Sequence, residues 1–256
     1  MMHPVLVVLA AASVVMTATW ELQRRTHNAG YVDVAWSYLM GAAAAWYAWS
    51  GAGAQLPRVL VAVLGMSWGL RLGTYLLKRV HGEPEDGRYK YLREHWHGDQ
   101  GKLFGFFVFQ AILTAIFSLP FWIVAQNPVA AVTPWTIAGV ATWALALGGE
   151  SIADAQLARF RHDPANKGRV CDVGLWRYSR HPNYFFEWLH WFAYVFLAIG
   201  APYWWVALMG PVLMFLSLFF VTGIPFVEQQ SLRSRGDAYR EYQRRTSVFV
   251  PLPPRS

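Results

Sequence analysis

"RYSRHPNYFFEWLHW", residues 177–191, carries Arg177, Arg180, His181, Asn183, Glu187 and His190 up to and into an apolar run. An ionisable group at membrane depth costs about 2.5–3.5 kcal/mol on insertion scales, so it is held against a partner or a polar cavity. Pro182 suits the first turn of a helix, where its missing N–H costs nothing, with Ser179 or His181 as the cap. Asn183, Glu187 and His190 then fall at i, i+4 and i+7, on one face. The stretch reads as a helix entering a bilayer with a polar stripe turned inward.

The whole chain agrees with that reading. It is 55% hydrophobic and 14% charged, with a mean hydropathy of +0.24, where a soluble domain carries about 25% charged residues. Fourteen tryptophans and twelve tyrosines suit the two membrane–water interfaces. Seven spans are expected, at 4–20, 29–50, 57–77, 103–125, 134–157, 182–201 and 203–225, each close to the length that crosses about 30 Å of hydrocarbon. The opening segment "MMHP" has no Lys or Arg, so span 1 is kept as a helix and not a signal peptide.

Lys and Arg number two in 21–28, six in 78–102, six in 158–180 and six in 226–256; the remaining two are Arg58 and Arg71. Positive-inside sorting makes the basic connections and the tail cytosolic. The expected fold is an all-α integral membrane protein, a seven-helix bundle with its N-terminus outside and its C-terminus in the cytosol. The pI of about 9.7 follows from topology, and nucleic-acid binding is not expected. The single cysteine, Cys171, excludes an internal disulfide and multi-cysteine metal sites. His95 with His97, and His181 with His190, find no converging ligands, so no metal is expected. Gly65, Gly69 and Gly73 make a small-residue stripe for close helix packing.

The polar residues at membrane depth form a set. Asp33 lies near the start of span 2 with Trp36 and Tyr38. Arg71 and Tyr75 share a face of span 3. Glu150, Asp154 and Arg161 follow one line along span 5 and its extension, and Glu228 closes span 7. Each alone fits a structural ion pair; together they point to a polar pocket opening on the cytosolic side. Between 159 and 180 six Lys/Arg stand against Asp163 and Asp172, a surplus of four, and the first turn of the helix at Pro182 adds free N–H groups. That combination suits a phosphate-bearing ligand.

"DPANKGRVCDVGLWRYSRHPNYFFE", the tail "EYQRRTSVFVPLPP", and the segments "YVDVAW", "WGLRLGTYLLKR" and "EDGRYKYLREHW" resemble the steroid 5-alpha-reductase family and its bacterial relatives of about this length. The R-x-x-R-H-P-N-Y-x-x-E core is shared with sterol C=C reductases and with the membrane methyltransferases of isoprenylcysteine and phospholipid. The resemblance covers nearly the whole chain and implies one membrane domain over 1–256. Its N-terminal helices would form the substrate side, and about 134–256 would bind NADPH from the cytosol. By position it implies cofactor contacts from Arg71, Tyr75, Arg79, Arg88, Tyr89, Glu150, Asp154, Arg161, Lys167, Tyr178, Arg180, His181, Asn183 and Glu187.

The substrate half departs from the pattern. The reductases hold a ketone with a Gln-Glu pair and a Tyr; this chain has no such pair in span 2, and Trp68 stands at the Tyr position. Asp33, Trp36 and Trp68 are the expected substrate contacts. The expected activity is NADPH-dependent reduction of an activated C=C bond in a steroid or other lipid-soluble molecule. Asp33, protonated, or Tyr38 would donate to the developing enolate oxygen, and Glu187 would hold the nicotinamide in line. A methyltransferase using S-adenosylmethionine is the alternative, and a transporter or structural bundle the third reading. The expected surroundings are the bacterial inner membrane, or the endoplasmic reticulum in a eukaryote, with membrane lipid as neighbour; the sequence carries no signal for an oligomeric state.

Overall fold

The computed structural model describes residues 2–221 and 223–255. They form helices and connecting turns with no strand; an isolated bridge between Ser179 and Ser247 is the extended pairing among them. The chain packs as two compact units, Met1–Thr136 with Tyr194–Gly210, and Ile137–Ala193 with Pro211–Ser256.

The first unit is built on six helices: α1 (Pro4–Thr26), α2 (Tyr31–Ser50), α3 (Gln55–Gly82), α4 (Gly87–His95), α5 (Gln100–Phe117) and α6 (Leu119–Val124). α1 starts on Pro4 and ends on His27, which adopts the left-handed conformation at φ 52°. α2 and α3 pack through the glycine stripe expected from the sequence. A methyl group added at Gly69 would sit 2.6 Å from the Ser37 carbonyl oxygen and 2.9 Å from the Gly41 nitrogen. One at Gly73 would sit 2.7 Å from the Tyr38 ring. Gly69→Val is therefore expected to destabilise the protein by about 2–3 kcal/mol, with the two helices forced apart. A thermal melt in detergent checks it, and a melting point unchanged from wild type would refute the packing.

The expected span 103–125 stands as one run long and apolar enough to cross a membrane, Gln100–Val124, with a turn at Ser118 inside it. Pro120 has no N–H to give the Ile116 carbonyl, and the chain restarts at Ser118 as α6. α4 is a helix within the basic connection between α3 and α5. Its start is set by Asp86, whose side chain accepts from the Arg88 N–H. Asn127 closes one end of this unit: its amide donates to the carbonyls of Leu197 at 2.8 Å and Ile199 at 3.1 Å.

The second unit holds α7 (Pro134–His162, from Ile137), α8 (Pro182–Ala198, to Ala193), α9 (Met209–Leu216, from Pro211) and α10 (Ile224–Arg245). α7 buries Gly139, Ala146, Gly149, Glu150, Ala153 and Asp154 along one stripe, and the Phe186 ring of α8 fills the space beside Gly149. The expected last span is not one helix. A 3-10 segment, Trp204–Leu208, precedes α9, a π-helical stretch Ser217–Val221 follows it, and Thr222 lies outside the described residues. α10 carries Glu228, Arg233, Arg235, Asp237, Arg240, Glu241, Arg244 and Arg245 and lies beyond the apolar run.

Among the described residues five stretches are long and apolar enough to cross a membrane: α1, α3, Gln100–Val124, α7 and the run that starts at Trp204. Their outward faces keep large apolar side chains in the open, among them Val14 and Leu6 on α1, Val63 and Leu70 on α3, and Leu145 and Ile137 on α7. Patches of that extent are unfavourable in water and comfortable in lipid. Of the other two expected spans, α2 dilutes its apolar residues with Asp33 and six Trp or Tyr, and α8 has 17 residues.

Candidate functional site

In the second unit the polar stripes of α7 and α8 meet. The Asn183 amide nitrogen donates to an Asp154 carboxylate oxygen at 3.2 Å, and its own oxygen accepts the Tyr184 N–H at 3.0 Å. One turn on, Glu187 accepts from the Trp191 indole at 3.3 Å. Glu150, Asp154, Glu187 and His190 are all buried. Three carboxylates and an amide in so dry a place are costly unless they serve one another or a ligand. Trp176 steadies the wall by donating to the Ala153 carbonyl at 2.9 Å.

The rest of the opening motif is turned to a different task. Arg180 grips Glu228 with two nitrogens, at 2.7 and 3.1 Å, and gives its third to the carbonyls of Gln243 at 3.1 Å and Thr246 at 2.6 Å. His181 meets the same carboxylate at 3.1 Å, Tyr239 donates to it at 3.0 Å, and Gln243 at 2.5 Å. Burial pushes the His181 imidazole below its ordinary range even against the pull of Glu228. Burial also works against the Glu228 carboxylate, yet the donors from His181, Arg180 and Gln243 outweigh it and hold the group at about 2. His181 stands at the start of α8, its carbonyl accepting the Phe185 N–H at 3.0 Å, and the Ser179 hydroxyl accepts the His181 N–H at 3.1 Å and donates to the Phe249 carbonyl at 2.7 Å.

The tail is strapped along this motif. Arg180 N–H donates to Ser247 at 2.8 Å, Leu252 N–H to Tyr178 at 3.0 Å, and the Tyr242 hydroxyl reaches the Trp176 carbonyl. The Phe249 ring sits among Phe185, Trp188, Phe215 and Phe219.

In the first unit Asp33 is the centre of a second set. Its two oxygens accept from the Tyr89 hydroxyl at 2.7 Å and from Arg88 at 3.2 Å. Arg88 also binds Asp86 at 3.1 Å, and Arg79 reaches the other Asp86 oxygen at 2.8 Å. A hollow lined by Asn28, Gly30, Asp33, Arg79, Asp86 and Arg88 opens beside them. Burial works against the Asp86 carboxylate, but Arg88 and Arg79 overcome it and lower its pKa. Tyr38 shares a hydrogen bond of 3.3 Å with Thr74, Arg71 stacks over the Tyr75 ring at 5.5 Å, and Trp36 packs edge-on to Trp68 at 5.9 Å.

A family profile described as a protein of unknown function, DUF1295, matches residues 19–246. The chain belongs to the DUF1295 family. Comparison with curated proteins and with solved structures returns no match.

The DUF1295 match takes in both residue sets and the latch around Glu228. Within this DUF1295 chain the residues expected at the site have the following neighbours. Arg180, expected to neutralise a phosphate, has its guanidinium committed to Glu228 and two carbonyls, and His181 is held by the same acid. Asp33, expected as a protonated donor, accepts at both oxygens. Trp68 is fully buried and packs as core. Tyr178 is exposed and holds the tail through its carbonyl. Arg161 and Lys167 stay exposed on the loop side of α7. The sequence reading missed Tyr239, Tyr242, Gln243 and the strap. The signal was present: a tail rich in Tyr and Arg whose "SVFVP" carries one buried aromatic, Phe249.

Proposed function

We propose that the protein is a membrane-embedded, NADPH-dependent reductase of an activated C=C bond in a lipid-soluble substrate. The observation that supports this most is the buried Asp154–Asn183 contact, with Glu150 and Glu187 beside it on the same two helices. A carboxamide, which both donates and accepts, complements such a mixture of carboxylates and an amide. Asn183 and Glu187 would orient the nicotinamide end, Asp154 would hold Asn183 in register, and Arg161 and Lys167 would meet the phosphates. When bound, NADPH supplies the hydride.

With this reading go seven crossings, α2 and α8 included, and a cytosolic C-terminus, supported by the Lys/Arg counts of the connections. The test is ligand-dependent melting of the purified protein with NADPH, NADH and S-adenosylmethionine. At a hundred times Kd a ligand stabilises by about 2.7 kcal/mol. NADPH should give the largest shift, and Glu187→Ala should remove it while leaving the ligand-free melt near wild type. A larger shift with S-adenosylmethionine would turn the assignment to methyl transfer.

A further inference from the structure

One side of the strap, residues 246–255, is bare. Phe249 is seated on Phe185 and Trp188 of α8 and on Phe215 and Phe219 of the last apolar run, with ring separations of 5.7, 5.6, 6.2 and 5.0 Å. Its neighbours Val250 and Leu252 stay 46% and 50% exposed. Leu216 and Phe220, in the same run as Phe215 and Phe219, are exposed as well. The polar helix α10 begins shortly after them, at Ile224. The strap therefore lies where the run leaves hydrocarbon, and Val250 and Leu252 continue its apolar surface toward the headgroup layer.

The charge beside these two residues is of one sign. Leu252 N–H donates to the Tyr178 carbonyl at 3.0 Å, and the Thr246 hydroxyl to the Arg177 carbonyl at 3.5 Å, so Arg177 is tied to the strap on both sides. Arg255 N–H donates to the Arg245 carbonyl at 2.8 Å and folds the end of the strap back onto α10. The acids nearby are engaged. Asp172 pairs with Arg245 and Asp237 with Arg240, each at 2.6 Å, Glu241 pairs with Arg244, and Glu228 holds the latch. Among the described residues no carboxylate pairs with Arg177 or Arg255, and both are exposed. Exposed apolar side chains beside unneutralised arginines, at the level of the headgroups, match a negatively charged leaflet: the first enter the acyl boundary and the second meet the acidic lipid.

We propose that the strap binds acidic phospholipid of the adjoining leaflet, with Val250 and Leu252 in the headgroup–acyl boundary and Arg177 and Arg255 on the anionic headgroups, so that leaflet charge holds the latch around Glu228 shut. A neutral lipid offers the same boundary without net charge, and free phosphate offers the charge without the boundary.

Full-length protein is compared in nanodiscs of phosphatidylcholine and of a phosphatidylcholine–phosphatidylglycerol mixture, by hydrogen exchange of the 246–255 amides, which reports how often the strap opens. Acidic lipid should slow wild-type exchange by about thirtyfold, each arginine contributing a factor of about five, and high salt should cancel the difference. Arg177→Gln and Arg255→Gln should each keep a slowing of about fivefold, and the double variant should keep none. Joint replacement of Val250 and Leu252 by Ser should speed exchange in both lipids. Equal wild-type exchange in the two lipids, a comparison that needs no variant, overturns the proposal. So does a wild-type lipid response in the double arginine variant. Slowing by inorganic phosphate in the neutral discs would assign the arginines to a soluble anion and overturn it as well.

Discussion

Glu228→Gln should loosen the C-terminal strap and cost about 3 kcal/mol or more, because a mostly buried arginine then loses its counter-charge. Arg180 and Glu228 have side chains only 11% and 13% exposed, so solvent cannot replace what each gives the other. The measurement is limited trypsin digestion: cleavage after Arg244 and Arg245 should speed up by about a hundredfold if local opening precedes cutting. Asp237→Asn, at an ion pair whose side chains are 66% and 94% exposed, should leave digestion as in wild type. The pH profile gives a second readout. The folded Glu228 carboxyl is held at about 2, below its ordinary 4.5. Its contribution is therefore complete above pH 4.5 and lost as the pH falls towards 2. His181, depressed below 6.5 in the folded state, acts in the same direction, losing stability as the pH falls below 6.5. The Gln variant should lack the Glu228 part of this acid dependence; a wild-type profile in that variant would refute the latch.

Asn183→Asp should be nearly as damaging, and at the proposed cofactor end. The substitution keeps the shape but turns a donor held 3.2 Å from Asp154 into a second carboxylate. Two unit charges of like sign at that separation repel by about 5 kcal/mol at an effective dielectric of 20. A loss of about 3–4 kcal/mol is expected after relaxation, with the NADPH-dependent melting shift abolished. Asn183→Ala removes the donor without adding charge and should cost about 1–3 kcal/mol. Equal melts for the two variants would show that Asn183 and Asp154 are not in contact.

The spacing of residues made some of this legible in advance. Gly65, Gly69 and Gly73 announced a close helix pair at four-residue steps, and α2 against α3 is that pair. Asn183, Glu187 and His190 at i, i+4, i+7 announced a buried stripe on α8, and Asp154 on α7 meets it. Helix interruptions were harder to see. Pro120 splits an apolar run whose hydropathy does not change, and the 3-10 and π-helical turns between Trp204 and Val221 leave no periodic mark. The least legible residue was Arg180. Composition places it among six Lys/Arg between 159 and 180, any of which suits a phosphate. Only the fold of the tail, forty-eight residues further to Glu228, takes it out of that group.

The strap has a consequence for biogenesis. A nascent chain made only through α8 presents Arg180 and His181 at the membrane surface with their acid still untranslated. At about 5–20 residues per second the interval until Glu228 and Phe249 emerge lasts several seconds. During that window the loop carrying the motif is an exposed cationic segment, so α10 and the segment through Phe249 act as an intramolecular clasp that closes only once both have been made.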